Sequence, residues 1–396
     1  MRKSIIICMT ALLGLSFFSD DLYGIPAFAR KYKMSCQTCH SPFPKLKPYG
    51  DEFAGNGFVL AEQDAPRYYV DTGDPELSLI RDIPLAIRLE GFLTYNNRHS
   101  KRSDFSAPYN LKLLSGGAIT EDIAYYFYFF FSERGEVAGV EDAFLMFNNV
   151  FDSELDIYVG QFQVSDPLFK RELRLTFEDY SIYKTSVGLS TANLAYDRGI
   201  MLTYGFETGT DIIVEVLNGT GLGHANIFRI FDKDRHKNVM GRVSQDVGEF
   251  VRIGAFGYLG KEELTNNAGT VTTNKIQIFG PDMSLSYKGI IELNLQYVQR
   301  EDKDVFLAET DLTTAPSIET KGMMAELVYQ PDADESKWYA VGMFNWVDSD
   351  QDNLDYKSGT FHIGYMLKRN IRMAAEYTYD FLHNYGTASI GFVTAF

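Results

Sequence analysis

Two of the three cysteines in this 396-residue chain are spaced for one specific chemistry. Cys36, Cys39 and His40 read C-Q-T-C-H, the attachment signature of a c-type haem. Thiols three positions apart can add to the two vinyl groups on one edge of a porphyrin. The histidine after the second cysteine then comes beneath the iron as an axial ligand. Rival chemistries lack their supporting parts. A redox C-x-x-C needs a surrounding βαβ unit, and the flanks Lys31-Tyr32-Lys33 and Ser41-Pro42-Phe43-Pro44 offer none. Zinc needs four ligands, usually two such pairs. A disulfide across two intervening residues is strained. The expectation is one covalent haem c, bound through Cys36 and Cys39 and ligated by His40.

The second side of the iron stays open at this stage. No Met occurs between Met34 and Met146, and no further His follows His40 before the strand region. Nearby donors are Met34, Lys33, Lys45 and Lys47; a more distant choice is a strand histidine such as His362, and a five-coordinate iron is another. His99, His224, His236 and His383 fall in expected loops or strand ends and receive no role.

The elements that must position this motif begin with a leader. Arg2 and Lys3 precede an apolar stretch, Ser4 to Phe18, and Gly24 or Ala27 offers a small residue for cleavage. Cys8 would leave with it. Covalent haem attachment in bacteria takes place outside the cytoplasm, so the leader supports the haem reading. The balance of 37 basic and 53 acidic residues gives a net charge of -16, which argues against nucleic acid as a partner. Outside the extreme N-terminus no segment has the ~20 consecutive apolar residues of a spanning helix.

From about residue 83 the chain falls into alternating segments separated by turn residues, the pattern of a transmembrane antiparallel β-barrel. Segment 85–95 sets Leu85, Ile87, Leu89, Leu93 and Tyr95 against Arg88, Glu90 and Thr94. Segments 291–299 and 371–381 do the same, with Glu292, Arg372 and Glu376 on the polar side. Further strands are expected at 108–119, 122–132, 139–148, 153–164, 194–207, 211–218, 237–246, 249–259, 274–287, 321–330, 337–347, 358–368 and 385–396. The fold class is therefore all-β, a barrel of about 16 strands around an aqueous lumen. Phe396 ends an apolar-facing strand, similar to the assembly signal of bacterial outer-membrane proteins. The run Ile123 to Phe131 is apolar on both faces, which suits either an inward plug or a tightly buried strand. Residues 165–193 break the rhythm and form either a constriction loop or a surface loop. Three acidic clusters, Asp348/Asp350/Asp352/Asp355, Glu301/Asp302/Asp304 and Asp332/Asp334/Glu335, are expected as solvated loops or cation bridges to lipopolysaccharide, with attraction of divalent cations as the alternative.

Pro26 to Tyr32, Cys36 to His40, Phe43 to Leu46, Pro48-Tyr49-Gly50, Phe53 and Asn56-Gly57-Phe58 together resemble the haem segment of fused cytochrome–porins. These are outer-membrane proteins with one c-type haem ahead of a porin barrel, best known as iron oxidases of iron-oxidising bacteria. Val159 to Phe162 and the loop after it also resemble phosphate-selective porins in style. The resemblance implies a signal peptide at 1–24, a haem segment at 25–75 lying in the lumen or at the periplasmic mouth, and an outer-membrane barrel at 76–396. It further implies electron transfer between an extracellular donor such as Fe(II) and a periplasmic c-type cytochrome, hence Fe(II):cytochrome c oxidoreductase activity, among membrane lipid and lipopolysaccharide. A diffusion porin with a structural or sensory haem plug, and outward electron transfer, stand as alternatives. The haem segment is too short to bury a haem alone, so lumen side chains must complete its pocket.

Overall fold

The computed structural model describes residues 27–60, 69–98 and 102–396. The expected leader and His99 lie outside these. The chain opens with two short helices, α1 (Ala27–Tyr32) and α2 (Pro48–Gly55). Sixteen strands follow: β1 (Leu85–Asn96), β2 (Ser103–Ala118), β3 (Ile123–Glu133), β4 (Gly139–Phe147), β5 (Leu155–Gln163), β6 (Tyr196–Gly205), β7 (Thr210–Leu217), β8 (Asn238–Val247), β9 (Val251–Thr265), β10 (Val271–Tyr287), β11 (Ile291–Lys303), β12 (Ile318–Tyr329), β13 (Trp338–Ser349), β14 (Tyr356–Lys368), β15 (Ile371–Asp380) and β16 (Tyr385–Ala395). Each pairs antiparallel with its sequence neighbours, and β1 closes on β16. At the seam, Ile87 and Phe396 exchange backbone hydrogen bonds of 2.7 and 2.9 Å.

Every expected strand is present. β2 begins five residues early and β9 runs six residues late, because Ser103 to Ala107 and Gly260 to Thr265, with Asp104, Lys261, Glu262 and Glu263 among them, continue the ladder. Their composition reads as loop, but a strand needs only backbone partners once it extends beyond an apolar belt.

The two ends of the barrel differ. One carries tight turns and the seam at Phe396. The other carries the long connections 164–195, 218–237 and 304–317. Outward faces are apolar, as at Val159, Ile212, Val243, Ile253, Leu327 and Ile390. Aromatic pairs Tyr204/Phe206, Phe250/Tyr287 and Tyr329/Trp338 ring the short-turn end.

The lumen corrects one expectation. It is not a continuous aqueous space, because the connection 164–195 folds inward and fills much of it. Leu168, Tyr180, Ile182, Tyr183 and Leu194 pack against the inward faces of Met240, Phe256, Ile278, Met324 and Met343. Gly322 provides a seat: a Cβ there would come within 2.2 Å of Ile182 Cδ1. Polar contacts fix the same loop around the wall. Glu376 accepts from the backbone amides of Phe177 (2.7 Å) and Glu178 (2.9 Å). The Arg300 guanidinium donates to the carbonyls of Thr185 and Ala192, both at 2.8 Å. Lys112 holds Glu172 at 2.5 Å. Of the two readings offered by the sequence, the inward-folded loop is the observed one.

Candidate haem site

The C-Q-T-C-H motif folds locally. Ser35 Oγ accepts from the Gln37 amide and caps a single 3₁₀ turn, Cys36–Thr38. The His40 amide donates to the Cys36 carbonyl at 2.9 Å, which closes the turn. Chain 40–46 then doubles back, with Ser41 N donating to Lys45 O and Lys47 N to Cys39 O. α2 starts at once, helped by Pro48 in its first turn. Gly50 of α2 lies directly on the motif: a Cβ there would be 2.4 Å from the Cys39 carbonyl oxygen. Only glycine allows α2 this close.

His40 is oriented for ligation. Its Nδ1 bonds the Pro44 carbonyl at 2.8 Å, which assigns the proton to Nδ1 and leaves the Nε2 lone pair for a metal. Burial pushes its pKa down, against smaller opposing effects from neighbouring carbonyls and Asp51, so the ring is held in its neutral, ligating form. Cys36 and Cys39 are half-buried free thiols. Burial pushes both thiol pKa values up, so neither is an activated thiolate of the redox type. Among the described residues no cluster of three His, Cys, Asp or Glu is disposed to hold a metal ion.

The segment sits inside the short-turn mouth of the barrel. Phe53 and Phe58 are buried with Ala124 and Met146, and Cys39, Phe28, Tyr32 and Tyr126 pack around them. Phe58 stacks on Phe28 at 4.7 Å between ring centroids and on Tyr126 at 5.6 Å. Of the run Ile123 to Phe131, Ala124 and Tyr126 therefore pack against this segment. Polar ties add register. Lys47 bonds Asp334 at 2.5 Å, Gln37 Nε2 donates to the Asp334 carbonyl at 2.5 Å, and Lys45 pairs with Glu292. Asp51 meets Lys170 of the inward loop at 2.8 Å, linking the two occupants of the lumen. Exposed or half-exposed ion pairs contribute about 0.2–1 kcal/mol each, whereas burying one Phe contributes about 1.5–3 kcal/mol. The aromatic cluster thus dominates the attachment.

A narrow, partly open cleft lies between motif and wall. Cys36, His40, Ser41 and Phe43 line one side; Gln330, Asp334, Ser336, Met366 and Arg369 line the other. These residues carry the groups a haem would use: covalent anchors, a neutral imidazole with a free lone pair, the apolar side chains of Pro42, Phe43 and Met366, and the Arg369 cation for carboxylate substituents. The enclosed space is only about 10 Å³, room for about one water and far below the ~300–1,000 Å³ of ordinary small-molecule sites, so motif and wall would have to separate to admit a haem.

The expected distal donors fare differently. Lys45 and Lys47 are committed to ion pairs, and Met34 does not line the cleft. His362 faces the lumen, but both ring nitrogens are satisfied, by Glu376 at 2.8 Å and Tyr339 at 3.1 Å. It holds the wall that receives Phe177 as a hydrogen-bonding lumen histidine, the preferred of the two roles its strand position suggested. One member of the acidic clusters departs from the solvated-loop expectation: Asp302 is fully buried and paired with Arg300 at 2.6 Å. Asp334 stays in a half-exposed turn and also anchors the motif. Sequence reasoning missed Met366 and Asp334, which lie some 300 positions from the motif. A methionine on the inward register of β14 was the one available signal for the former.

No known family profile matches the chain, and no curated protein matches it. Solved structures do. OmpT of Vibrio cholerae in its trimer form is 13% identical over 80% of this chain and 99% of that chain, with a TM-score of 0.54. OmpF of Salmonella typhi, solved with daunomycin, is 12% identical over 79% and 97%, with a TM-score of 0.53. The outer membrane channel DcaP of Acinetobacter baumannii is 13% identical over 80% and 97%, with a TM-score of 0.52. At such identities the likeness is one of fold, and the chain has the fold of the outer-membrane porins: a closed barrel of sixteen antiparallel strands.

Proposed function

We propose that this chain is an outer-membrane cytochrome–porin fusion that carries electrons between an extracellular donor, Fe(II) foremost, and periplasmic c-type cytochromes. The observation that carries this reading is the placement of C-Q-T-C-H, with His40 Nε2 free, inside the mouth of a porin-fold barrel. Haem c, once bound, supplies one-electron chemistry. The chain's residues do the rest. Cys36 and Cys39 anchor the group, His40 ligates its iron, and the aromatic cluster around Phe58 fixes the segment in the barrel. The barrel's apolar exterior and aromatic rim suit outer-membrane lipid and lipopolysaccharide. In porins the short-turn end faces the periplasm, so this mouth would be open to a soluble cytochrome. Each Fe(II) would lose one electron, and one electron would leave on the cytochrome.

Transport is the second reading, favoured by the likeness to channels such as DcaP. The inward loop and the haem segment both oppose it, because they occupy the lumen.

Anaerobic mixing with Fe(II), followed by addition of an oxidised periplasmic c-type cytochrome, tests the proposal. The haem absorption should change to that of the reduced form and then return, with one electron transferred per chain. No change on adding Fe(II), at acid or neutral pH, would remove the iron-oxidising version.

A further inference from the structure

We propose that Met366 is the second axial ligand of the haem iron, opposite His40. The inference rests on the haem reading above and deepens it.

Met366 is the one soft donor on the barrel side of the cleft that His40 and Cys36 line from the other side. The remaining barrel-side groups, Gln330, Asp334, Ser336 and Arg369, are hard oxygen donors or a permanent cation. Thioether sulfur is a recognised partner of His in c-type haems, and soft donors suit iron held by a porphyrin better than amide or hydroxyl oxygen. Strand periodicity puts Met366 on the inward face of β14, in register with His362 and Gly364. The backbone there is arranged for it. The Met366 amide donates to the Lys337 carbonyl at 2.7 Å, fixing it to the turn that carries Asp334 and Ser336. Directly after it the β14/β15 register shifts, with Met366 opposite Arg372 and Lys368 opposite Ile371. Such bulges recur beside functional sites, where they re-aim a side chain. Phe43, Val393 and Ala395 pack beside Met366 and give its side chain apolar neighbours. Three rotatable bonds let the side chain reach into the cleft as it opens. Met/His ligation raises the potential of a c-type haem, the direction an acceptor of electrons from a weak reductant requires.

The test uses the full haem-loaded chain and the variants Met366→Leu, Met366→His and Met34→Leu. Readouts are the near-infrared thioether-to-ferric-iron charge-transfer band, the spin state by electron paramagnetic resonance and the midpoint potential. The oxidised wild type should be low-spin and show the band. Met366→Leu should lose the band, become high-spin and fall in potential. Met366→His should be low-spin without the band, again at lower potential, and it carries the test if the leucine variant does not accumulate. Met34→Leu should match the wild type. Wild-type haem without the band, or an unchanged Met366→Leu spectrum, would overturn the assignment while leaving the haem reading intact. A wild type that carries no haem would overturn both.

Discussion

His40 gains its orientation from four residues of chain, through the Nδ1 bond to the Pro44 carbonyl. That is why the site was legible at this scale: spacing within C-Q-T-C-H fixes which groups converge, and the local turn needs no barrel to form. Met366 and Asp334 were not legible, since only closure of the barrel brings them to the motif. Replacing Cys36 and Cys39 together by Ser should abolish covalent haem, read as loss of haem staining on a denaturing gel. Gly50→Ala should disturb the motif without touching a ligand. Its Cβ would meet the Cys39 carbonyl, an overpacking that costs about 1–3 kcal/mol, and haem loading measured by absorbance should fall accordingly.

At the scale of elements, the inward loop shows what periodicity could not convey. Its dense charges, Lys170, Arg171, Glu172, Arg174 and Asp179, left a constriction loop and a surface loop equally open, and they are paired inside the lumen. Burial alone would push the Glu172 carboxyl up, yet Lys112, Arg174 and Arg171 outweigh it and hold it down at about 2. Burial pushes Asp166 up to about 6, against Lys170 and assisted by Glu172. The two act in opposite pH windows. Glu172 stabilises the fold above its unfolded value near 4.3, and this is lost as pH falls through about 2. Asp166 favours the fold below its unfolded value near 3.9, and this is lost as pH rises through about 6. Glu172→Gln, which strands Lys112, should therefore cost about 3 kcal/mol near neutral pH and little near pH 2. Asp166→Asn should flatten the decline in stability between about pH 4 and pH 7. Denaturant midpoints measured from about pH 2 to pH 7 check both.

For the whole molecule, the sixteen strands were legible because each one alternates inward and outward residues, and that period survives without tertiary information. What fills the barrel was not, because inward residues read as polar or apolar without saying what they meet. Met240, Phe256, Ile278 and Met324 face a packed loop rather than water. The consequence is a lumen largely filled by packed chain. Conductance of the intact chain in planar bilayers should be small, and removal of the haem segment through Phe58 should raise it only modestly while the loop stays seated. Deleting the loop interior, 166–193, should raise it far more. Large currents from the intact chain would favour diffusion over electron transfer.

The central claim is one haem c, fixed by Cys36, Cys39 and His40 in the short-turn mouth of the barrel. A pyridine haemochrome assay with intact mass, on the full chain made in a host able to attach haem c, tests it most directly. The account expects one haem per chain in the wild type, with the c-type spectrum, and none in the Cys36→Ser/Cys39→Ser variant. A folded wild-type barrel without covalent haem would contradict it.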